Sequence, residues 1–550
     1  MKRIQKLTAL LLALVLVLAL AACGGSGTTT NTNTNTNTST GSNTSTNTST
    51  NAGSNANNVE LPSAEPEAEG IVPGTVVNFR LPVDMTSLSC VVASPNAANV
   101  YVQVYDTLFQ PYEGDWNDIR GLLCTDYTVS DDGLTWVFTI TDKAEFTNGR
   151  KLTAQSCVDC WQYTKETQPG LFTNVESFEA TGDYEITFHM AAPNPGLKAN
   201  LANVYSGICD PDAIKEFGLE ADEVGIGSGA YYIVSKTIGD RTVLKANPNY
   251  WNADQAPHIE TINYIYIPDN NTAMAALQSG EIDVIDTNDY NTLEVLESYD
   301  GVYSVTMHDQ VRVLYINGQH GALQDIRVRQ AIQSFIDPVQ VELAYHGGHG
   351  VADSTIVRDT CAAYVAKSNV TYDVDKGLAL LAEAGVDPTS LNLKLVTNSD
   401  IAGYSDNVQA QLAAVGITVT IDTYTVGTSE AVIASGDFDL GIFRTDADVA
   451  SGLLMAQTWW KSDSVKRALW GSAAENSQID ELVAKAAACV TMEEQNEVLK
   501  EIQLAILEDA ALAVPSPTPG RYYIFNEKLQ NVKIDNSTCR VDWRYAFVQE

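Results

Sequence analysis

The sequence predicts a mixed α/β protein with more than one lobe. Three observations lead there. Strand and helix signals alternate along the chain from about residue 73 onward. A complete β-α-β unit is legible between residues 391 and 421. The roughly 480 residues of ordinary composition exceed what one hydrophobic core usually holds.

The elements follow in order. Leu134, Trp136, Phe138 and Ile140 alternate on one face of a strand, after an Asp131-Asp132-Gly133 turn. Asn148-Gly149 marks another turn, and Thr153 then caps a helix carrying Val158 and Trp161. Asp269 opens a helix bearing Ala273, Ala276 and Leu277, which Gly280 stops before a strand with Ile282 and Val284. Asp325 caps a helix whose apolar stripe is Val328, Ala331, Ile332 and Phe335. Asp373 opens another that ends at Gly385. Strand 391–396, helix 406–415, a stop at Gly416 and strand 417–421 make the β-α-β unit. No repeat of solenoid period is present.

The first 22 residues set the compartment. Lys2, Arg3 and Lys6 precede an uncharged apolar run over 7–20. Leu20-Ala21-Ala22-Cys23 follows, small residues ending in a cysteine. A plain secretory leader ends in small residues alone; this one has the bacterial lipobox pattern. The run is short for a membrane span of about 20 residues. Residues 1–22 are therefore expected to be a lipoprotein signal peptide, with cleavage before Cys23 and lipidation of its sulfur. Two acyl chains anchor stably where one is marginal, so the chain belongs on the outer face of the cytoplasmic membrane. Residues 23–72 form the linker. Positions 26–58 are almost wholly Thr, Asn, Ser and Gly, with too little apolar surface to fold. As a random coil that stretch reaches roughly 30–35 Å.

Thirty-two Lys and Arg against 69 Asp and Glu give a net charge of −37. Such a surface repels nucleic acid, which requires clustered cations. Nine cysteines occur. With Cys23 lipidated, the other eight have 105 possible full pairings outside the cytoplasm, and the sequence does not choose among them or between thiols and disulfides. Cys157-Val158-Asp159-Cys160 sits inside the capped helix without a second such pair, which argues against zinc or redox work.

Several ordered stretches resemble the family 5 solute-binding proteins of ABC importers, the group of oligopeptide-, dipeptide-, nickel- and haem-binding proteins. The first is 129–142 with 146–153, including Phe146-Thr147-Asn148-Gly149-Arg150. The second is Gly227-Ser228-Gly229-Ala230-Tyr231-Tyr232 with 244–251, ending Asn249-Tyr250-Trp251. The third is 267–269 with 275–284, and the fourth 325–332 with Ile336-Asp337. The resemblance implies a two-lobed periplasmic-binding-protein-like fold with an inserted subdomain and a hinge. It places the first lobe at 73–110, 225–310 and 518–550, the insert at 111–224, and the second lobe at 311–517. The hinge would involve the Pro-rich crossing at 515–519.

It also implies candidate site residues. In peptide-binding relatives an aspartate after a second-lobe strand pairs with the ligand's amino terminus; Asp446 matches best and Asp448 next. Arg444 departs from the family pattern, and either neutralises Asp446 or engages a ligand carboxylate or hydroxyl. Arg312, on the strand over 311–317, is a candidate for a ligand carboxylate. Trp459 and Trp460 follow the Asp446 loop and are candidates for stacking, while Tyr105 lies where relatives begin the first cleft wall, beside Tyr101 and Phe109. Core packing competes as a role for each of these aromatics.

Catalytic patterns are missing: there is no Gly-x-Ser-x-Gly elbow, phosphate loop or His-Glu-x-x-His. Gly225-Ile226-Gly227-Ser228-Gly229 precedes a strand, whereas a phosphate loop must open a helix. His346-Gly347-Gly348-His349 is the best metal candidate, but it matches a structural turn in the family. The expected function is a non-enzymatic, monomeric substrate-binding subunit without cofactor or metal. It would take up oligopeptides and dock on an ABC permease driven by an ATPase. Oligosaccharides, a nickel chelate, or surface peptide sensing are the alternatives within the same fold.

Overall fold

The computed structural model describes residues 70–549 except 93, 309, 355, 359–360, 362, 366–367, 446–451, 465, 468 and 537. The leader, Cys23 and the polar linker over 26–58 lie outside the described residues.

Two large sheets organise the chain. The first has seven strands, in the order Val302–Met307, Arg521–Asn526, Val284–Thr287, Val72–Leu81, Ile259–Tyr266, Arg241–Ala246 and Tyr231–Thr237. Val72–Leu81 runs parallel to both its neighbours, and the outer pairs are antiparallel. Its strands come from three separate stretches of sequence, so the C-terminal tail returns to the body that the N-terminal strand begins. Val77, Phe79 and Leu81 alternate into the main core. Arg80 points to the other face and is also buried, because Ile267 O, Asp286 O and Asn270 Oδ1 accept from it at 2.7, 2.6 and 2.8 Å.

A four-stranded antiparallel sheet, Cys124–Val129, Thr135–Ile140, Glu185–Met190 and Val175–Gly182, forms a subdomain beside it. The helix Ala154–Thr167 covers this sheet, with Trp161 edge-on to Phe178 and Phe188. Thr153 caps it, accepting from Ser156 N as the sequence predicts.

The second large sheet has the order Thr418–Tyr424, Asn392–Asn398, Leu440–Thr445, Val311–Ile316 and Ala513–Val514. Asn392–Asn398 and Thr418–Tyr424 are parallel, as a β-α-β unit requires. Their helix is Ala402–Ala414, starting before residue 406. Its N-terminus has no side-chain cap; the buried stripe Tyr404, Val408 and Leu412 extends the helix upstream instead. Helices cover both faces, so Val311–Ile316 is buried throughout. Val313 and Tyr315 enter one core, Leu314 and Ile316 the other.

The chain passes between the large sheets twice, after Met307 and again between Val514 and Arg521. A short ribbon pairs Val351–Ser354 with Ser516–Thr518 at the second passage. Leu454 of the second body packs against Gly170 of the four-stranded subdomain, and Val490 against Gly133. Among the described residues, no helix is long and apolar enough to cross a membrane.

Candidate ligand-binding cleft

Val311–Ile316 and Leu440–Thr445 pair antiparallel with Arg312 opposite Arg444 and Val311 opposite Thr445. This rung brings two of the candidates together in backbone register, at the point where the chain leaves the sheet for 446–451. Asp446 and Asp448 lie outside the described residues.

Strand periodicity then divides the remaining candidates. Val313 and Tyr315 share one face of the strand, and Phe443, opposite Val313, joins them in the same core. Trp459 and Trp460 belong to that core, on the turn Ala456–Trp460. Trp459 meets Phe443 edge-on at 4.8 Å between ring centroids, and Lys466 Nζ sits 4.6 Å from the Trp459 ring centre. The indole N–H of Trp459 is buried without an acceptor among the described residues, and that of Trp460 lies by the Tyr315 phenol. Burial pushes the Tyr315 phenol above its ordinary range.

Arg312 occupies the opposite face, beside the helix Pro338–His346. His346 there is buried, and neither ring nitrogen has a partner among the described residues. Its ring centre lies 4.1 Å from that of Tyr345. Burial, then the charges of Arg312 and His308, bring its pKa down to about 3. Glu342, one turn earlier, accepts from Gly350 N at 2.7 Å, and burial raises its pKa. The i, i+4 spacing of Glu342 and His346 is legible in the sequence; that both are buried, with His346 near Arg312, is not.

His349 turns the other way. Its Nε2 is 3.4 Å from Glu294, and its ring stacks on Tyr290 and meets Tyr522 edge-on. His346 and His349 thus diverge, and no group of three ligating side chains suited to a metal occurs among the described residues.

Tyr105 stands apart, in the first body's core. Its hydroxyl donates to Leu88 O at 2.6 Å, and it borders a cavity of about 40 Å³ that Thr107, Gln110, Arg540 and Arg544 also line. Neighbouring Asp106 is wholly enclosed, accepting from Trp251 Nε1, Ser228 Oγ and Tyr250 OH at 2.8, 2.9 and 3.1 Å. Burial raises its pKa against those donors. Ser228, Tyr250 and Trp251 all lie in the second family-like stretch, but nothing in their spacing brings them to Asp106. A further cavity of about 220 Å³ lies on the second body, where Gln333, Ile336, Pro338, Tyr372, Val514 and Pro515 meet.

Two α/β bodies linked by two crossing segments, with an inserted subdomain on one, define a two-lobed binding-protein fold of the periplasmic type. Residues 118–466 match the family "Bacterial extracellular solute-binding proteins, family 5 Middle". The chain belongs to the family 5 extracellular solute-binding proteins. It is 25% identical over 506 residues to the probable D,D-dipeptide-binding periplasmic protein of Escherichia coli K12, covering 85% of this chain and 95% of that one. Among solved structures, NikA from Brucella suis in complex with Fe(III)-EDTA has a TM-score of 0.77 at 21% identity, covering 86% of this chain and 100% of that one. DppA from Helicobacter pylori in complex with the peptide STSA has a TM-score of 0.70 at 21% identity, covering 86% and 98%.

Proposed function

We propose that this protein is the substrate-binding subunit of an ABC importer, capturing oligopeptides between its two lobes. A diacylglyceryl group on Cys23 tethers it to the outer face of the cytoplasmic membrane, and as a monomer it delivers its cargo to a permease powered by an ATPase. The family consists of binding proteins, and no chemical transformation of the ligand is part of the reading.

The observation that carries the site is the Arg312–Arg444 rung at the end of the second lobe's central strands. In this reading Arg312 and Arg444, neighbours in backbone register, take the ligand's carboxylate, and Asp446, with Asp448 as the alternative, takes its amino terminus. Charge-assisted contacts of this kind are strong because the closed cleft excludes water. Trp459 and Trp460 pack in the core on the strand face opposite Arg312 and support the rung from behind. Tyr105 supports the first lobe's wall from its core, its hydroxyl held by Leu88 O. The similarity to a probable D,D-dipeptide-binding protein and to a binding protein in complex with a peptide supports the peptide class. A second reading, capture of an anionic metal chelate, draws on the same two arginines and on the likeness to a chelate-bound structure.

The test is native mass spectrometry of the Cys23→Ser chain, which cannot be lipidated, purified without unfolding. Extra mass that releases short peptides on denaturation is expected. Asp446→Ala should then raise the Kd of the released peptide at least tenfold, equivalent to about 1.4 kcal/mol or more. A sugar or a metal chelate in place of peptide overturns the substrate class. An empty protein that shows no thermal shift with peptide pools overturns peptide capture.

A further inference from the structure

Three thiols converge in the first lobe with no part in the cleft. Cys160 lies on the helix Ala154–Thr167, Cys209 just before the helix Pro211–Phe217, and Cys90 in the stretch after the first strand. All three are fully buried. The Sγ atoms of Cys160 and Cys209 are 3.6 Å apart. Cys90 Sγ and Cys160 Sγ both face the carbonyl of Gly207, at 3.4 and 3.8 Å. The sulfurs of Cys160 and Cys209 are in van der Waals contact, within reach of bonding at about 2.0 Å, and the Cys90 thiol also interacts with Cys209. Cys157, three residues before Cys160 on the same helix, is also buried, and a Cys157–Cys160 link is the competing pairing that peptide mapping separates. Because no metal-competent cluster occurs among the described residues, dithiol chemistry is the use this arrangement suits.

We propose that Cys160 and Cys209 form a disulfide as the exported chain folds, with Cys90 retained beside them as a thiol. The oxidant is an external disulfide, of the thiol–disulfide exchange class that acts outside the cytoplasm. The Cys160 thiolate attacks it and releases one thiol, leaving a mixed disulfide. The Cys209 thiolate then attacks the Cys160 sulfur, the new S–S bond forms, and the second thiol departs. The external disulfide gains two electrons, and the two protons from the cysteines end on its two thiols. Timing follows from burial: in the folded chain the sulfurs are sealed from solvent, and burial holds the Cys90 thiol in its protonated form. The bond therefore forms before the core closes and is shielded from reductants afterwards.

Its structural effect is local and specific. The bond ties the helix Ala154–Thr167 to the segment at Gly207, and a Cβ at Gly207 would lie 2.7 Å from Tyr105 Cβ. The floor under Tyr105 is thus cross-linked, whichever ligand the cleft accepts.

The experiment uses the full chain, exported through its own leader, extracted in detergent and alkylated under denaturing, non-reducing conditions. Peptide mapping, with fragmentation to separate Cys157 from Cys160, should find the Cys160 and Cys209 peptides joined and Cys90 alkylated. Dithiothreitol should release the pair only when a denaturant is present. Cys160→Ala should lower Tm by about 3–6 °C. If that variant fails to fold, the map of the unmodified chain still decides. Alkylation of all three cysteines, both after export and after refolding with oxidised glutathione, overturns the proposal. A Cys90–Cys209 link in the unmodified chain also overturns it.

Discussion

Replacing His346 with Phe should remove a defined part of the protein's acid sensitivity. The imidazole is buried in the second lobe with both nitrogens unpartnered among the described residues, facing Arg312 and His308. Its pKa is about 3 in the fold against 6.5 for the free side chain. Near pH 7.5 the ring is neutral whether the chain is folded or not. As pH falls through 6.5, the unfolded chain takes up a proton that the folded chain refuses. Stability is therefore lost from about pH 6.5 downward, and the loss ends only near pH 3. At pH 5.0, above the folded pKa, the loss from this group alone is about 2 kcal/mol. The carboxyl of Glu342 works in the opposite sense, because its pKa is raised; it remains in the variant and largely cancels in the comparison. Urea unfolding at pH 7.5 and 5.0, followed by tryptophan fluorescence from the same lobe, measures both proteins. The wild type should lose about 2 kcal/mol more than His346→Phe between the two values. Any packing difference from the larger ring is common to both pH values and drops out. Equal losses, within about 0.5 kcal/mol, would refute the reasoning.

Arg80→Leu should lower stability by about 3–5 kcal/mol, because it strands buried carbonyls of Ile267 and Asp286 that the guanidinium now satisfies. Its urea midpoint reports this, and a loss under 1 kcal/mol would contradict it. His349→Ala removes the contacts to Glu294, Tyr290 and Tyr522 that link the two lobes. Since Glu294 is largely exposed, most of the effect comes from the ring contacts, about 1 kcal/mol in all. Titration calorimetry with the ligand recovered in the mass measurement should show Kd raised about fivefold, and an unchanged Kd would separate this contact from closure.

Local signals wrote much of the fold into the sequence. Asp269, Asp325 and Asp373 each accept a backbone N–H at the start of their helices, because a short carboxylate satisfies a donor the helix leaves free. Gly280 and Gly385 end theirs with φ near +75° and +69°, where a Cβ would be strained. Trp136, Phe138 and Ile140 bury one face of their strand, as alternation requires. These features depend on neighbours a few residues away, so one sequence displays them.

The site was legible only in part. Pairing Arg312 with Arg444 depends on the register of strands more than 120 residues apart. That register also put Trp459 and Trp460 with the Tyr315 face, and His346 with the Arg312 face. The sequence carries the period of two along each strand, but which face meets which helix is set when distant segments pack. The Asp106 centre likewise gathers Ser228, Tyr250 and Trp251 across more than 120 positions. Composition and spacing thus determined the class of fold and the helix ends. Tertiary packing alone decided which polar groups lost water together, because desolvation depends on every surface that closes around a group and not on its neighbours in sequence.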